Sequence, residues 1–279
     1  MSLPLFSRRE LVAVKEELVQ LKQTVATLRN EVIADYTAEA KSVESVNNLP
    51  DLDDINQHNK HLTYEYIDFL LASERPETRE RMYLLLNQHA DFHKDDFEFL
   101  WRFARCTFLY SQNFNDVDEE KKRKLCFEAK KYAYKALELK EDDANVQKWC
   151  AVTVGALSDF LGFKYKLQNG FTCREHILKS LKLNPDDWFS HYIYGRWCFT
   201  VAALSWVERK VASTLFEEPP IATYEEALTE FLEAERLQPI AWKENMLYIA
   251  KCHLQMGNNE MAHEYLNAAD AIPVTSAEV

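Results

Sequence analysis

Residues 127–143, FEAKKYAYKALELKEDD, read as the second helix of a helical hairpin, and the pattern returns at 173–187, CREHILKSLKLNPDD, and at 224–240, YEEALTEFLEAERLQPI. The three align without gaps. Small residues recur at Ala129, Cys173 and Ala227 and again at Ala136, Ser180 and Ala234, and the turn that follows carries Glu141, Pro185 or Pro239. After each comes an aromatic-rich segment with its own small residue: VQKWCAV (146–152) with Ala151, SHYIYGRWCF (190–199) with Gly195, and ENMLYIAKCHLQMGN (244–258) with Ala250. Ala104 in LWRFARCTF (100–108) holds the same place one unit earlier. Antiparallel helices joined by a short turn approach closely only where a side chain is absent or tiny, so the pattern predicts helix, turn, helix as the unit.

The intervals from Ala136 to Ser180, Ser180 to Ala234 and Ala234 to Ala269 are 44, 54 and 35 residues. Against a repeat of about 34 residues, these imply extra stretches of about ten and about twenty residues between first and second helices. The stretches include DFLGFKYKLQNG (159–170) and VAALSWVERKVASTLFEEPPIAT (201–223), whose aromatic and basic composition predicts lengthened helices or ordered loops. HLTYEYIDFLLAS (61–73) and ETRERMYLLLNQHA (77–90) supply an earlier pair. The expected architecture is all-α: a tetratricopeptide-like α-solenoid of up to five antiparallel helix pairs with a concave groove.

Composition agrees, since 47% hydrophobic residues with only 5 glycines and 8 prolines favour long helices over turn-rich sheets. Cys106, Cys126, Cys150, Cys173, Cys198 and Cys252 form no C-x-x-C pair and sit in apolar helical contexts, as reduced core thiols of a cytoplasmic protein do. MSLPLFSRREL (1–11) lacks an apolar signal region and no window of about 18 uncharged apolar residues occurs, so no membrane span is expected. The net charge of −12 argues against nucleic acid, yet residues 121–182 carry 14 basic and 7 acidic side chains. A basic middle between acidic flanks can orient the molecule on an acidic surface.

Near the N-terminus, Leu11, Val14, Leu18, Leu21, Val25, Leu28 and Val32 alternate steps of three and four, a heptad seam. Lys15, Lys22 and Arg29 take e positions and Glu10, Glu17 and Glu31 take g positions. In a parallel pair Glu10 meets Lys15 and Glu17 meets Lys22 across the interface, so a parallel homo-oligomer is expected. The alternative is an amphipathic helix folded back on the chain. The predicted organisation is a coiled-coil helix over 1–46, a linker over 47–61 containing Pro50, and a repeat domain over 62–279.

The repeats carry more specific wording. LWRFARCTF, KWCAV, FKYKLQNGFTCREHILKSLKLNPDD and above all YGRWCFTVAALSWVERKVASTLFEEPPIATYEEAL (194–228) resemble the regulator-of-microtubule-dynamics family over about residues 95–270. The resemblance implies a non-enzymatic scaffold that binds tubulin and microtubules, acting in the cytoplasm at the cytoskeleton, spindle and spindle poles in chromosome segregation. Some relatives carry an N-terminal membrane anchor, from which the coiled-coil N-terminus of this chain departs.

Two candidate sites follow from charge and geometry. Lys121, Lys122, Arg123 and Lys124 start a helix on which Lys124, Lys131 and Lys135 share a face beside Lys130, with Lys164 and Lys166 in the first insertion. Clustered cations of this kind suit an acidic microtubule surface, although a solvated helix face has the same composition. Arg102, Arg105, Lys148, Arg174, Arg196 and Arg209 recur beside Trp101, Trp149, Trp197 and Trp206, and could hold an acidic peptide or a phospholipid head group in the groove. The alternative makes the tryptophans core fillers and the arginines helix-end buttresses.

Enzyme readings lack support. Gly155, Gly162, Gly170, Gly195 and Gly257 build neither a phosphate-cradling loop nor a G-x-G-x-x-G turn, so no nucleotide cofactor is expected. His89 and His93 lack the glutamate of H-E-x-x-H and a third ligand, so no metal is expected either.

Overall fold

The computed structural model describes residues 63–272, apart from Glu74, Asp116, Glu217, Glu218, Pro239 and Ala241. The heptad seam and the linker expected over 47–61 lie outside these residues. Among the described residues there are eleven α-helices and no strand: α1 (Tyr64–Leu71), α2 (Pro76–His89), α3 (Phe97–Ser111), α4 (Glu119–Leu139), α5 (Ala144–Ala156), α6 (Phe163–Leu183), α7 (Trp188–Ala202), α8 (Trp206–Leu215), α9 (Tyr224–Leu237), α10 (Lys243–Gln255) and α11 (Asn259–Asp270). Capping explains where many of them begin. Asp96, Asp118, Asp143 and Asp187 each accept backbone N–H bonds at the start of a first or second helix, and Ser205 and Thr223 form reciprocal boxes with Glu208 and Glu226. Gly257, at φ +79°, lets the chain leave α10 through a left-handed turn in which Asn258 N–H reaches His253 O at 2.9 Å.

The closest pairings are α3 with α4, α5 with α6, α7 with α9 and α10 with α11, the repeated hairpin read from the sequence. Its small residues are where they are needed. Ala104, Ala129, Ala136, Ala151, Cys173, Ser180, Gly195, Ala227, Ala234, Ala250 and Ala269 are all buried. At Gly195 a side chain could not be present at all without movement, because an added Cβ would stand 2.9 Å from two ring carbons of Phe231. Around that contact lies the largest core cluster, in which Tyr192, Cys198, Phe231, Ile249 and Cys252 are buried.

The described residues of both insertions lie between first and second helices, as expected. The first is a 3-10 turn at Leu157–Phe160 that feeds the start of α6. The second contains α8, after which Phe216 packs its ring 3.9 Å from that of Phe171. Consecutive first helices lie side by side, but α5 and α7 approach less closely than the others and are linked by side chains, with Lys148 Nζ 3.1 Å from Asp187 and Trp149 against Phe189. That gap opens the groove.

Candidate functional site

The groove is a cavity of about 600 Å³ in which α5 contributes Val152 and Gly155 and α7 contributes Phe189, Tyr192, Ile193 and Arg196. Phe108 of α3 and Trp242 at the start of α10 extend the aromatic wall. A second cavity of about 420 Å³ continues from it toward α8, and the two share Lys166, Gly170, Trp197 and Thr200. Trp197 is fixed between them because its indole N–H donates to Gly170 O at 2.8 Å.

Of the groove candidates, Arg196 and Trp197 line this space, Arg174 lies over Trp197, and the others are engaged elsewhere. Arg102 lies 2.7 Å from Asp68 and 2.6 Å from Glu98, with its guanidinium over the Tyr64 and Trp101 rings. Arg105 reaches Asp68 at 3.3 Å and the Leu71 carbonyl at the end of α1. Together they clamp α1 onto α3. Lys148 pairs with Asp187, the residue that caps α7. Trp149 is buried between Phe108 and Phe189. Arg174 is exposed on α6 with its guanidinium 5.3 Å from the Trp197 ring centroid. Arg209 donates to the carbonyls of Val201, Ala202 and Leu204, closing the C-terminus of α7.

The polar chemistry of the groove centres on a trio that sequence reasoning only partly found. Arg196 lies 3.7 Å from Glu244, and its guanidinium sits over the Tyr192 and Tyr248 rings. Burial pulls the Arg196 pKa down, but Tyr192, Tyr248 and Glu244 outweigh it and leave the pKa raised. Tyr192 is 2% exposed, and Glu244 and Arg196 act on its hydroxyl both electrostatically and as hydrogen-bonding neighbours. Burial chiefly raises its pKa, so it is a neutral donor. The available signal was the i, i+4 spacing of Tyr192 and Arg196, which puts both on one face of α7. Burial also pushes the Cys150, Cys173, Cys198 and Cys252 thiols up to about 12, leaving no thiolate among them.

The basic candidates divide around α4. Arg123, Lys124 and Lys131 are exposed, and Phe127 lies among them with its ring 43% exposed. Lys124 reaches Glu120 at 3.4 Å, while Lys131 and Lys135 flank the Tyr132 ring and Lys130 the Tyr134 ring. Lys121 sits 4.0 Å from the Phe114 ring centroid, and Lys122 turns into the groove. Lys164 and Lys166 are exposed in the first turn of α6, with Lys166 lining both cavities. His93 stacks on Phe99, and among the described residues no group of three potential metal ligands forms. No helix there is long and apolar enough to cross a membrane.

Comparison with known proteins places these features in context. The profile of the family "Regulator of microtubule dynamics protein 1-3" matches residues 63–279. Regulator of microtubule dynamics protein 1 of Bos taurus is 38% identical over 214 residues, covering 77% of this chain and 66% of the relative. Regulator of microtubule dynamics protein 3 of Xenopus laevis is 38% identical over 216 residues, covering 76% of this chain and 45% of the relative. The match thus spans less than two thirds of these relatives' own length. Among solved structures, a crystal structure of MamA superposes with a TM-score of 0.42 at 10% identity, covering 74% of this chain and 89% of MamA. On the extent of the family match and the identity to these relatives, the chain belongs to the regulator-of-microtubule-dynamics family.

Proposed function

We propose that the chain is a non-enzymatic, microtubule-associated scaffold that contacts the acidic microtubule surface through the outward face of α4. The observation that carries this reading is the run of Arg123, Lys124 and Lys131, exposed around a half-exposed Phe127, with Lys135 completing the face. Exposed cations attract an acidic lattice over about a Debye length, and a ring among them adds a contact that salt does not screen. The family's name supports the same target. The reading extends to the cytoplasm, the spindle and its poles in chromosome segregation.

Parallel self-association through Leu11, Val14, Leu18, Leu21, Val25, Leu28 and Val32, with 47–61 as linker, belongs to the same proposal. Two weak α4 faces on one oligomer gain affinity for a repeating lattice without new contacts.

Cosedimentation with stabilised microtubules tests the site. The bound fraction should fall as salt rises, and Lys124→Glu, Lys131→Glu and Lys135→Glu together should weaken binding by at least about tenfold at low salt. Undiminished pelleting of that variant removes α4 from the account. Light scattering tests the oligomer, because a full-length chain that is monomeric at micromolar concentration rules out the coiled coil.

A further inference from the structure

A helix on the surface of a folded domain ordinarily turns its apolar stripe inward. In α8 the stripe faces out. At about 100° per residue, Trp206, Val207, Lys210, Val211 and Thr214 fall within one arc of about 140°. All five are exposed, Trp206 at 72%. The opposite side holds Ala212, which is buried, and Glu208, which is partly buried. Every other α-helix among the described residues packs closely on a neighbouring helix, and α8 does not.

The fold holds α8 by other residues. The helix starts from the Ser205–Glu208 box, Arg209 ties its first turn to carbonyls at the end of α7, and Phe216 beyond its last turn packs on Phe171. Apolar side chains gathered on one exposed face, and unused by the packing beneath them, mark a surface that meets something else.

The charges say what it meets. Lys210 Nζ stands 5.1 Å from the Trp206 ring centroid. Lys164, Tyr165 and Lys166 are exposed in the first turn of α6, and Phe163 and Lys166 line the same cavity as Glu208, which places that turn beside the start of α8. The one acid of α8, Glu208, is engaged by the backbone N–H and hydroxyl of Ser205. Glu217 and Glu218 follow α8 in the sequence and lie outside the described residues. A second copy docking here would set lysine against lysine. The complementary surface is acidic and admits aromatic rings beside lysine stems. The boundary layer of an anionic bilayer does both, since Trp and Tyr rings settle at headgroup depth while lysine ammonium groups reach the phosphates.

We infer that α8 and the first turn of α6 form a peripheral docking surface for an anionic membrane, with Trp206, Val207 and Val211 entering the headgroup region and Lys164, Lys166 and Lys210 meeting lipid phosphates. The chain then lies on the bilayer and does not span it. The inference does not depend on the α4 reading, because it uses other residues and another partner.

The test is flotation of the full-length chain with vesicles of phosphatidylcholine alone or of equal parts phosphatidylcholine and phosphatidylserine. The chain should float with the anionic vesicles and bind the neutral ones at least about tenfold more weakly, because each lysine near an anionic surface is worth about fivefold. Trp206→Gln with Val207→Gln should weaken anionic binding at least about tenfold and leave the melting temperature unchanged, both side chains being exposed. Lys210→Ala should weaken it about fivefold. The variant carrying Lys124→Glu, Lys131→Glu and Lys135→Glu should still float.

The idea is overturned if the two vesicle types bind equally, or if the Trp206, Val207 variant floats as well as the parent chain. Flotation lost in the α4 variant and kept in the Trp206, Val207 variant would overturn it in favour of α4. Absence of flotation, together with an oligomer that the Trp206, Val207 variant breaks or microtubule pelleting that it abolishes, would overturn it in favour of a second copy or of tubulin.

Discussion

The contact between Gly195 and Phe231 makes a prediction whose sign runs against intuition. Replacing an α-helical glycine by alanine normally stabilises by about 1 kcal/mol, because alanine loses less backbone entropy on folding. Gly170→Ala should behave this way, since its new methyl group meets nothing nearer than 3.8 Å. In Gly195→Ala the methyl carbon arrives 2.9 Å from Cδ1 and Cε1 of Phe231 and 3.2 Å from Cγ. The ring has no room to retreat. Phe231 is fully buried, its ring is stacked 5.1 Å from that of Tyr248 and lies 5.9 Å from that of Tyr192.

Overpacking of this kind costs about 1–3 kcal/mol, which cancels or exceeds the propensity gain. The two chemically identical substitutions should therefore differ by about 1–3 kcal/mol, or several degrees in melting temperature at about 2–4 °C per kcal/mol. Thermal and denaturant unfolding of the full chain measure it. Phe231→Leu in the Gly195→Ala background should recover part of the loss, so that a double-mutant cycle shows favourable coupling between the two changes. If Gly195→Ala is as stable as Gly170→Ala, the claim that this glycine sets the approach of α7 and α9 is refuted.

Two histidines should tilt the pH–stability profile in opposite directions. Burial, with Lys179 adding to it, lowers the His176 pKa, and its neutral ring donates from Nδ1 to Gln147 at 2.7 Å while Nε2 faces the Tyr134 hydroxyl. Its contribution is complete above the unfolded value of about 6.5 and is lost as pH falls below it, so His176→Gln should flatten the acid side. The hydrogen bond to Glu230 chiefly raises the His191 pKa, with the Pro185 carbonyl on the other ring nitrogen. That contribution is complete below about 6.5 and is lost as pH rises through the raised value, so His191→Gln should flatten the neutral side in denaturant titrations at stepped pH. Asp68→Ala takes a carboxylate from both Arg102 and Arg105; with Asp68 34% exposed, a loss of about 1–3 kcal/mol is expected, and hydrogen exchange should quicken across α1 first. Arg209→Ala should expose the carbonyls at the end of α7 and speed exchange in α8 without altering the exchange of α3 and α4.

The hairpin pattern was legible because it is set by an interhelical distance. Small residues at Ala129, Ala136, Ser180 and Ala234 are the trace a close approach leaves in any sequence, whatever the surrounding side chains. The insertions were legible only as aromatic, basic stretches that lengthen helices or pack as loops, and the Ser205 to Glu208 box that starts α8 is the local signal that separates the two. The groove was less so. Arg102 and Arg105 carry the composition of a ligand clamp, but their partner Asp68 is more than thirty residues away in sequence, and nothing local indicates that α1 lies across them. Gly195 was legible as the small residue of its repeat, whereas nothing in the sequence gives Gly170 a reason, and an added Cβ there would meet Trp197 Nε1 at an ordinary 3.8 Å.

The placement of lysines on α4 has a consequence for how a scaffold could work. Each α-helical residue turns the chain by about 100°, so Lys122 and Lys124 leave α4 nearly opposite one another. Lys122 lines the groove, whereas Lys124 and Lys131 face solvent with Phe127. A partner held by Lys124 and Lys131 therefore does not cover the groove that Lys122 lines. Lys124→Glu with Lys131→Glu should therefore weaken microtubule binding, while Lys122→Glu, on the groove side of the same helix, should leave it nearly unchanged. Equal losses from the two variants would show that α4 does not present one binding face.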